Sequence, residues 1–138
     1  MYSHLLFFCG LCSAVFTAVQ QPAPPRKQTS LALGRITGSL SYPSDYLPDD
    51  MKVTAVPLSG GGTYSTTKKR GNRYTLTLPA GQYYVYATTQ DFVAYKAYYT
   101  EMVTCGLSIN CHSHKKIMVN VKAGTTTAKV DPQDWYDH

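Results

Sequence analysis

Charge is missing from the start of this chain: none of its thirteen Lys and Arg and none of its eight Asp and Glu lies in the first twenty residues. An apolar run from Leu5 to Val19 fills that stretch, and at about 15 residues it falls short of the roughly 20 that a membrane-spanning helix needs. The pattern is that of a secretory signal peptide over residues 1–20, cleaved near Ala18 or Gln20, with no membrane span expected in the mature chain. Cys9 and Cys12 lack the small-residue approach of a lipoprotein signal, so no lipid anchor is expected either. Hydrolase and phosphate-binding signatures are also absent. There is no G-x-S-x-G and no H-E-x-x-H, and the Gly60–Gly62 run leads into a strand pattern instead of a helix, so no enzyme and no cofactor are expected. Asn72, Asn110 and Asn120 all lack a hydroxyl residue two positions on, which leaves no N-glycosylation acceptor.

Residues 21–30, QPAPPRKQTS, are rich in Pro and polar side chains and read as an exposed linker. One domain is expected over residues 31–138. The net charge of +5 lies wholly in the mature part, a moderate balance that serves solubility and favours anionic partners. Two of the four cysteines leave with the signal. The remaining pair, Cys105 and Cys111, is expected to form a disulfide, a local staple that contributes roughly 2 kcal/mol on the chain-entropy model.

No helical period lasts longer than a turn or two, whereas two-residue alternation recurs at short spacing. Strands are expected over 34–42, 51–58, 63–67, 73–79, 81–87, 94–100, 117–121 and 125–130. The clearest stretch is YTLTLPAGQYYVYA, residues 74–87. Tyr74, Leu76 and Leu78 fall on one face, with Arg73, Thr75 and Thr77 on the other, and Pro79 to Gly81 read as the turn of a hairpin. Tyr83, Val85 and Ala87 then oppose Tyr84 and Tyr86. KKRGN, residues 68–72, reads as a second hairpin tip. The expectation is an all-β, antiparallel two-sheet sandwich of about seven or eight strands.

Gly34, Ile36 and Gly38, followed by Tyr74, Leu76, Leu78, Pro79, Gly81, Tyr83 and Val85, resemble the opening strand and the Y-x-L-x-L-P-x-G-x-Y-x-V run of carboxypeptidase-regulatory-like, prealbumin-like (transthyretin-like) domains. The match covers residues 34–87, and the segment from Cys105 to Tyr136 is similar to the tail of small exported bacterial proteins of this type. The resemblance implies a non-catalytic module for adhesion, carbohydrate contact or structural support. The hydroxyisourate hydrolase of the same fold ends in Tyr-Arg-Gly-Ser, where this chain reads DWYDH.

Candidate binding residues form two groups. Tyr84, Tyr86, Tyr95 and Tyr99, with Trp135, would make an aromatic surface for sugar rings or a protein. Lys68, Lys69 and Arg70 would offer positive charge at the 68–72 tip, suited to an anionic polymer more than to nucleic acid in an exported protein. Both groups have plainer readings, as core aromatics and as a solvated turn. His112 and His114 are weak metal candidates without an identifiable third ligand. Asp45, Asp49 and Asp50 share a loop whose spacing matches no EF-hand. The function expected is recognition of a protein or glycan at the cell envelope, in the periplasm or outside the cell. The alternatives are a structural subunit or assembly factor of a surface structure, and a periplasmic metal-binding protein.

Overall fold

The computed structural model describes residues 32–90 and 94–136; the expected signal peptide and linker lie outside the described residues. Among the described residues, eight strands and one short helix follow in order: β1 Leu33–Ser39, β2 Lys52–Pro57, β3 Tyr64–Thr67, β4 Arg73–Pro79, β5 Gly81–Thr88, β6 Ala97–Tyr98, α1 Glu101–Cys105, β7 Val119–Val121 and β8 Thr126–Thr127. They make two sheets. One has three strands in the order β4-β1-β8; the other has five, ordered β3-β2-β5-β6 with β7 also on β5. The short strands β6 and β7 share one edge of β5, β6 opposite Tyr86 and Ala87 and β7 opposite Gly81 to Tyr83.

Neither expected hairpin exists. β4 pairs with β1 in the three-stranded sheet, while β5 pairs with β2 in the five-stranded one, so Pro79, Ala80 and Gly81 carry the chain from one sheet to the other. Only Ala80 separates the two strands, and a hairpin ladder needs a loop of at least two residues. The corner is held instead by the Tyr83 hydroxyl, which donates to the Pro79 carbonyl at 2.8 Å, and by the Ala80 amide, which donates to Ala32 at 3.0 Å. Residues 68–72 join β3 to β4 and form a second such arch. The final strand is a further correction: β8 spans two residues and runs parallel to β1, with Arg35 opposite Thr126.

The alternation itself is correct. Ile36, Tyr74, Leu76 and Leu78 from one sheet and Val53, Ala55, Tyr83, Val85 and Ala87 from the other enter a single buried cluster. A row of apolar residues on one face of each strand is what lets both sheets bury that face in common.

The C-terminal segment ties the sheets along one side. Lys129 takes a left-handed conformation, φ 60°, at the end of β8. From there the Val130 amide donates to Thr37 at 3.1 Å, and the Ser39 amide donates to the Asp131 carboxylate at 2.6 Å. The Tyr74 hydroxyl donates to the Val130 carbonyl at 2.7 Å, and the Trp135 indole N–H to the Ser41 carbonyl at 2.7 Å. Just before Trp135 the Asp134 amide donates to Tyr98 at the edge of the five-stranded sheet, 3.2 Å away. Gly38 makes the approach possible, since a Cβ there would run into the Val130 carbonyl. Gly34 does the same for the Lys122 carbonyl.

Gly38→Ala is therefore expected to lower stability by about 2 kcal/mol, the scale of overpacking against backbone that cannot yield, whereas the open Gly62→Ala changes it by less than about 0.5 kcal/mol. Urea midpoints of the two variants check this. Tyr74 supplies a second expectation: burial first, then the charge of Asp131 and then Tyr99, hold its phenol well above the ordinary value of 10.0. The neutral phenol thus contributes stability that is whole below pH 10 and is lost as pH rises beyond it. Urea midpoints followed into alkali should fall less steeply in Tyr74→Phe than in the wild type, although the variant starts about 1 kcal/mol lower at neutral pH for want of its hydrogen bond.

Candidate functional site

The outward positions of the five-stranded sheet bring three tyrosines that the core does not use, Tyr84, Tyr86 and Tyr98, onto neighbouring strands. On β5, Tyr84 and Tyr86 alternate with the buried Tyr83, Val85 and Ala87 and are half-buried. Register places Val56 of β2 opposite Tyr84, Thr54 opposite Tyr86, and Lys52 opposite Thr88. On the other side of β5, Tyr98 of β6 lies opposite Tyr86. The two rings are 5.3 Å apart and tilted by 55°. Each carries a cation: Lys96 Nζ stands 5.0 Å from the Tyr86 centroid, and Lys116 Nζ 3.9 Å from that of Tyr98. Such ammonium groups over tyrosine rings are held by the ring quadrupole, at about 0.5–1 kcal/mol each where exposed. Met118, 46 % exposed, adds an apolar side chain just before β7.

This face corrects the expected aromatic group. Tyr99 turns the other way and packs against the core, its amide donating to Val85 at 2.9 Å. The strand partner of Tyr86 is Tyr98, and a shift of one residue in strand parity exchanges the two faces. Tyr95 is exposed ahead of β6. Trp135 is 8 % exposed and meets Tyr42 edge to face at 5.1 Å, so it anchors the C-terminal segment and presents no platform. Nothing in the local sequence marks Lys96 or Lys116, because the β5–β6 pairing brings the one over Tyr86 and the bridge between Thr100 and Lys116 brings the other over Tyr98.

The basic group divides. Lys68 is buried, its side chain 5 % exposed, and its ammonium reaches the Asp49 carboxylate at 2.7 Å. Its amide also donates to Met51 at 2.8 Å, so Lys68 braces the β3–β4 arch and is not free for a ligand. Lys69 and Arg70 remain exposed beside Arg73. Asp50 accepts the Gln90 amide at 2.6 Å and Asp49 is engaged by Lys68, while Asp45 is exposed.

Cys105 and Cys111 form the expected disulfide, with Cα atoms 5.9 Å apart, at the C-terminal end of α1. His112 is exposed. His114 Nδ1 lies 2.8 Å from Asp134 Oδ2, the oxygen to which the Thr100 hydroxyl also donates at 2.6 Å. Asp134 is fully buried, and these contacts fasten the C-terminal segment to the end of the β6 strand. Among the described residues no group of three or more His, Cys, Asp or Glu could hold a metal ion, and no helix is long and apolar enough to cross a membrane.

No family model, curated protein or solved structure matches the chain.

Lys68→Ala is expected to cost about 1–2 kcal/mol through lost packing of its buried stem, while Lys69→Ala stays within about 0.5 kcal/mol. Thermal melts distinguish them. The hydrogen bond and then the charge of Lys68 hold the Asp49 carboxyl below its ordinary 3.8, a contribution present above that value and lost as pH falls beneath it. Asp49→Asn should therefore melt less pH-dependently in strong acid than the wild type does.

Proposed function

We propose that this chain is an exported recognition module without chemistry of its own. In this reading it is a two-sheet sandwich of the prealbumin-like type that docks an acidic protein of the cell envelope on the tyrosine face. The observation that carries it is the Tyr86–Tyr98 pair under the ammonium groups of Lys96 and Lys116. Tyrosine is enriched at protein interfaces because it offers a large contact area with a polar tip and few rotors to freeze. Lys52 adds a third cation to the same face, and no carboxylate occupies its strand positions in β2, β3, β5, β6 or β7. Such a surface complements a negatively charged partner and speeds its approach.

A protein is favoured over a glycan for a geometric reason. One face of each ring already lies under an ammonium group, which stacking by a sugar would have to displace, whereas side chains of a protein can meet the hydroxyls and ring edges as they stand. Tyr84, Tyr86 and Tyr98 are each half-buried on neighbouring strand positions, which suits a broad contact. Export is supported by the Cys105–Cys111 disulfide, since such bonds persist in oxidising compartments.

The test is a parallel screen of envelope-protein peptides and neutral glycans against the wild type and Tyr86→Ala/Tyr98→Ala. Acidic peptides should bind the wild type and lose about tenfold or more in affinity in the double variant, the scale of interface hot spots. Binding confined to neutral glycans, or peptide binding indifferent to both tyrosines, overturns the reading.

A further inference from the structure

The β3–β4 arch carries a second surface of different chemistry, at the opposite edge of the five-stranded sheet from Tyr98. β3 is the outermost strand of its sheet and β4 the outermost of the other, and the two are not paired with each other. Between them opens a cleft of about 260 Å³. Lys69, Arg70 and Arg73 line it together with the hydroxyl side chains Thr66, Thr67 and Thr75. No carboxylate belongs to the lining, and among the described residues none of the three cations enters an ion pair. The nearby Lys68 is already matched by Asp49 and contributes position without free charge.

Three unmatched cations crowded at one arch repel one another, a cost that an anion relieves. Guanidinium forks fit tetrahedral oxyanions with two parallel hydrogen bonds, and threonine hydroxyls donate alongside them. Each edge strand also leaves alternate backbone N–H groups unpaired. A hairpin would have joined these edges by a ladder; the arch keeps them apart, and so the cleft exists.

We propose that this cleft binds a sulfate or phosphate ester carried on a polysaccharide. Its volume lies below the roughly 300–1,000 Å³ of pockets that enclose whole small molecules, which suits one charged group with the ring that bears it. Tyr74, the single aromatic residue in the lining, is 5 % exposed and donates its hydroxyl to Val130, so it offers no stacking platform for nucleic-acid bases. No exposed apolar side chain lines the cleft, which leaves a bilayer surface nothing to insert. The site stands on its own residues and does not rest on the tyrosine face.

Calorimetric titration with sulfated, phosphorylated and ester-free oligosaccharides of one length, and with a single-stranded oligonucleotide, tests it. The sulfated or phosphorylated sugar should bind, and the stronger of the two names the ester; the ester-free sugar should bind about tenfold more weakly or less. Arg70→Ala/Arg73→Ala should lose about tenfold or more in affinity, and its dependence of log K on log salt should flatten by about two, one for each cation removed. Lys69→Glu is an independent variant at an exposed position and should also weaken binding. The charge-matched Lys115→Ala/Lys122→Ala, away from the cleft, should stay within about twofold. Equal loss in that control, equal binding of the ester-free sugar, or tighter binding of the oligonucleotide than of either ester overturns the proposal. Loss of peptide docking in Tyr86→Ala/Tyr98→Ala with ester binding intact separates the two sites.

Discussion

The close approach of the C-terminal chain to β1 is the constraint on which the rest of the structure depends. It requires Gly38 and Gly34, where no Cβ stands in the way of the Val130 and Lys122 carbonyls. Once the backbones meet, side-chain bonds to distant parts of the sequence hold the segment: Tyr74 on Val130, Asp131 on Ser39 and Trp135 on Ser41 beside β1, and Asp134 on Thr100 beyond β6. These bonds are buried or partly buried, where removing one partner leaves the other unsatisfied at a cost of about 1–3 kcal/mol. The segment therefore acts as a strap, running from the edge of the three-stranded sheet to the edge of the five-stranded one.

The strap makes the two long sides of the molecule unlike. On its own side the sheets are joined by hydrogen bonds through Val130, Asp134 and Trp135. On the other side β3 and β4 are not paired with each other, and their edges lie beside Lys69, Arg70 and Arg73. Two surfaces of distinct chemistry follow from this asymmetry. The outer face near the strap carries tyrosines under lysines, and the open edge carries a cationic cleft. The pairing of Lys68 with Asp49 belongs to the same logic, since it holds the arch in shape without adding free charge.

Much of the candidate site was legible as composition and little of it as geometry. Tyr84 and Tyr86 could be placed outward from alternation alone, because Tyr83, Val85 and Ala87 mark the buried parity of β5. Tyr98 could not, because β6 is two residues long and its parity is set by its partner instead of by any pattern of its own. The cationic turn was visible as a run of four basic residues between 68 and 73, yet nothing in that run distinguishes the buried Lys68 from its exposed neighbours. The distinction comes from Asp49 and Met51, which lie nineteen and seventeen positions earlier and are brought alongside by β2.

By itself the sequence determined the five longer strands β1 to β5, their buried rows and the disulfide, because each depends on spacing within one short segment, whereas the expected strands 94–100 and 125–130 form over two residues each. Two-residue alternation fixes which side chains can share a face, and a separation of 6 positions brings the Cα atoms of Cys105 and Cys111 within bonding reach across the turn after α1. Only the tertiary structure decided which strands pair. YTLTLPAGQYYVYA has the same alternation whether its halves pair with each other or belong to different sheets, and a single residue between β4 and β5 together with the pull of β1 and β2 selects the second. Pairing is a competition among distant edges for the same hydrogen bonds, so its outcome is a property of the whole chain and cannot be read from any one stretch of it.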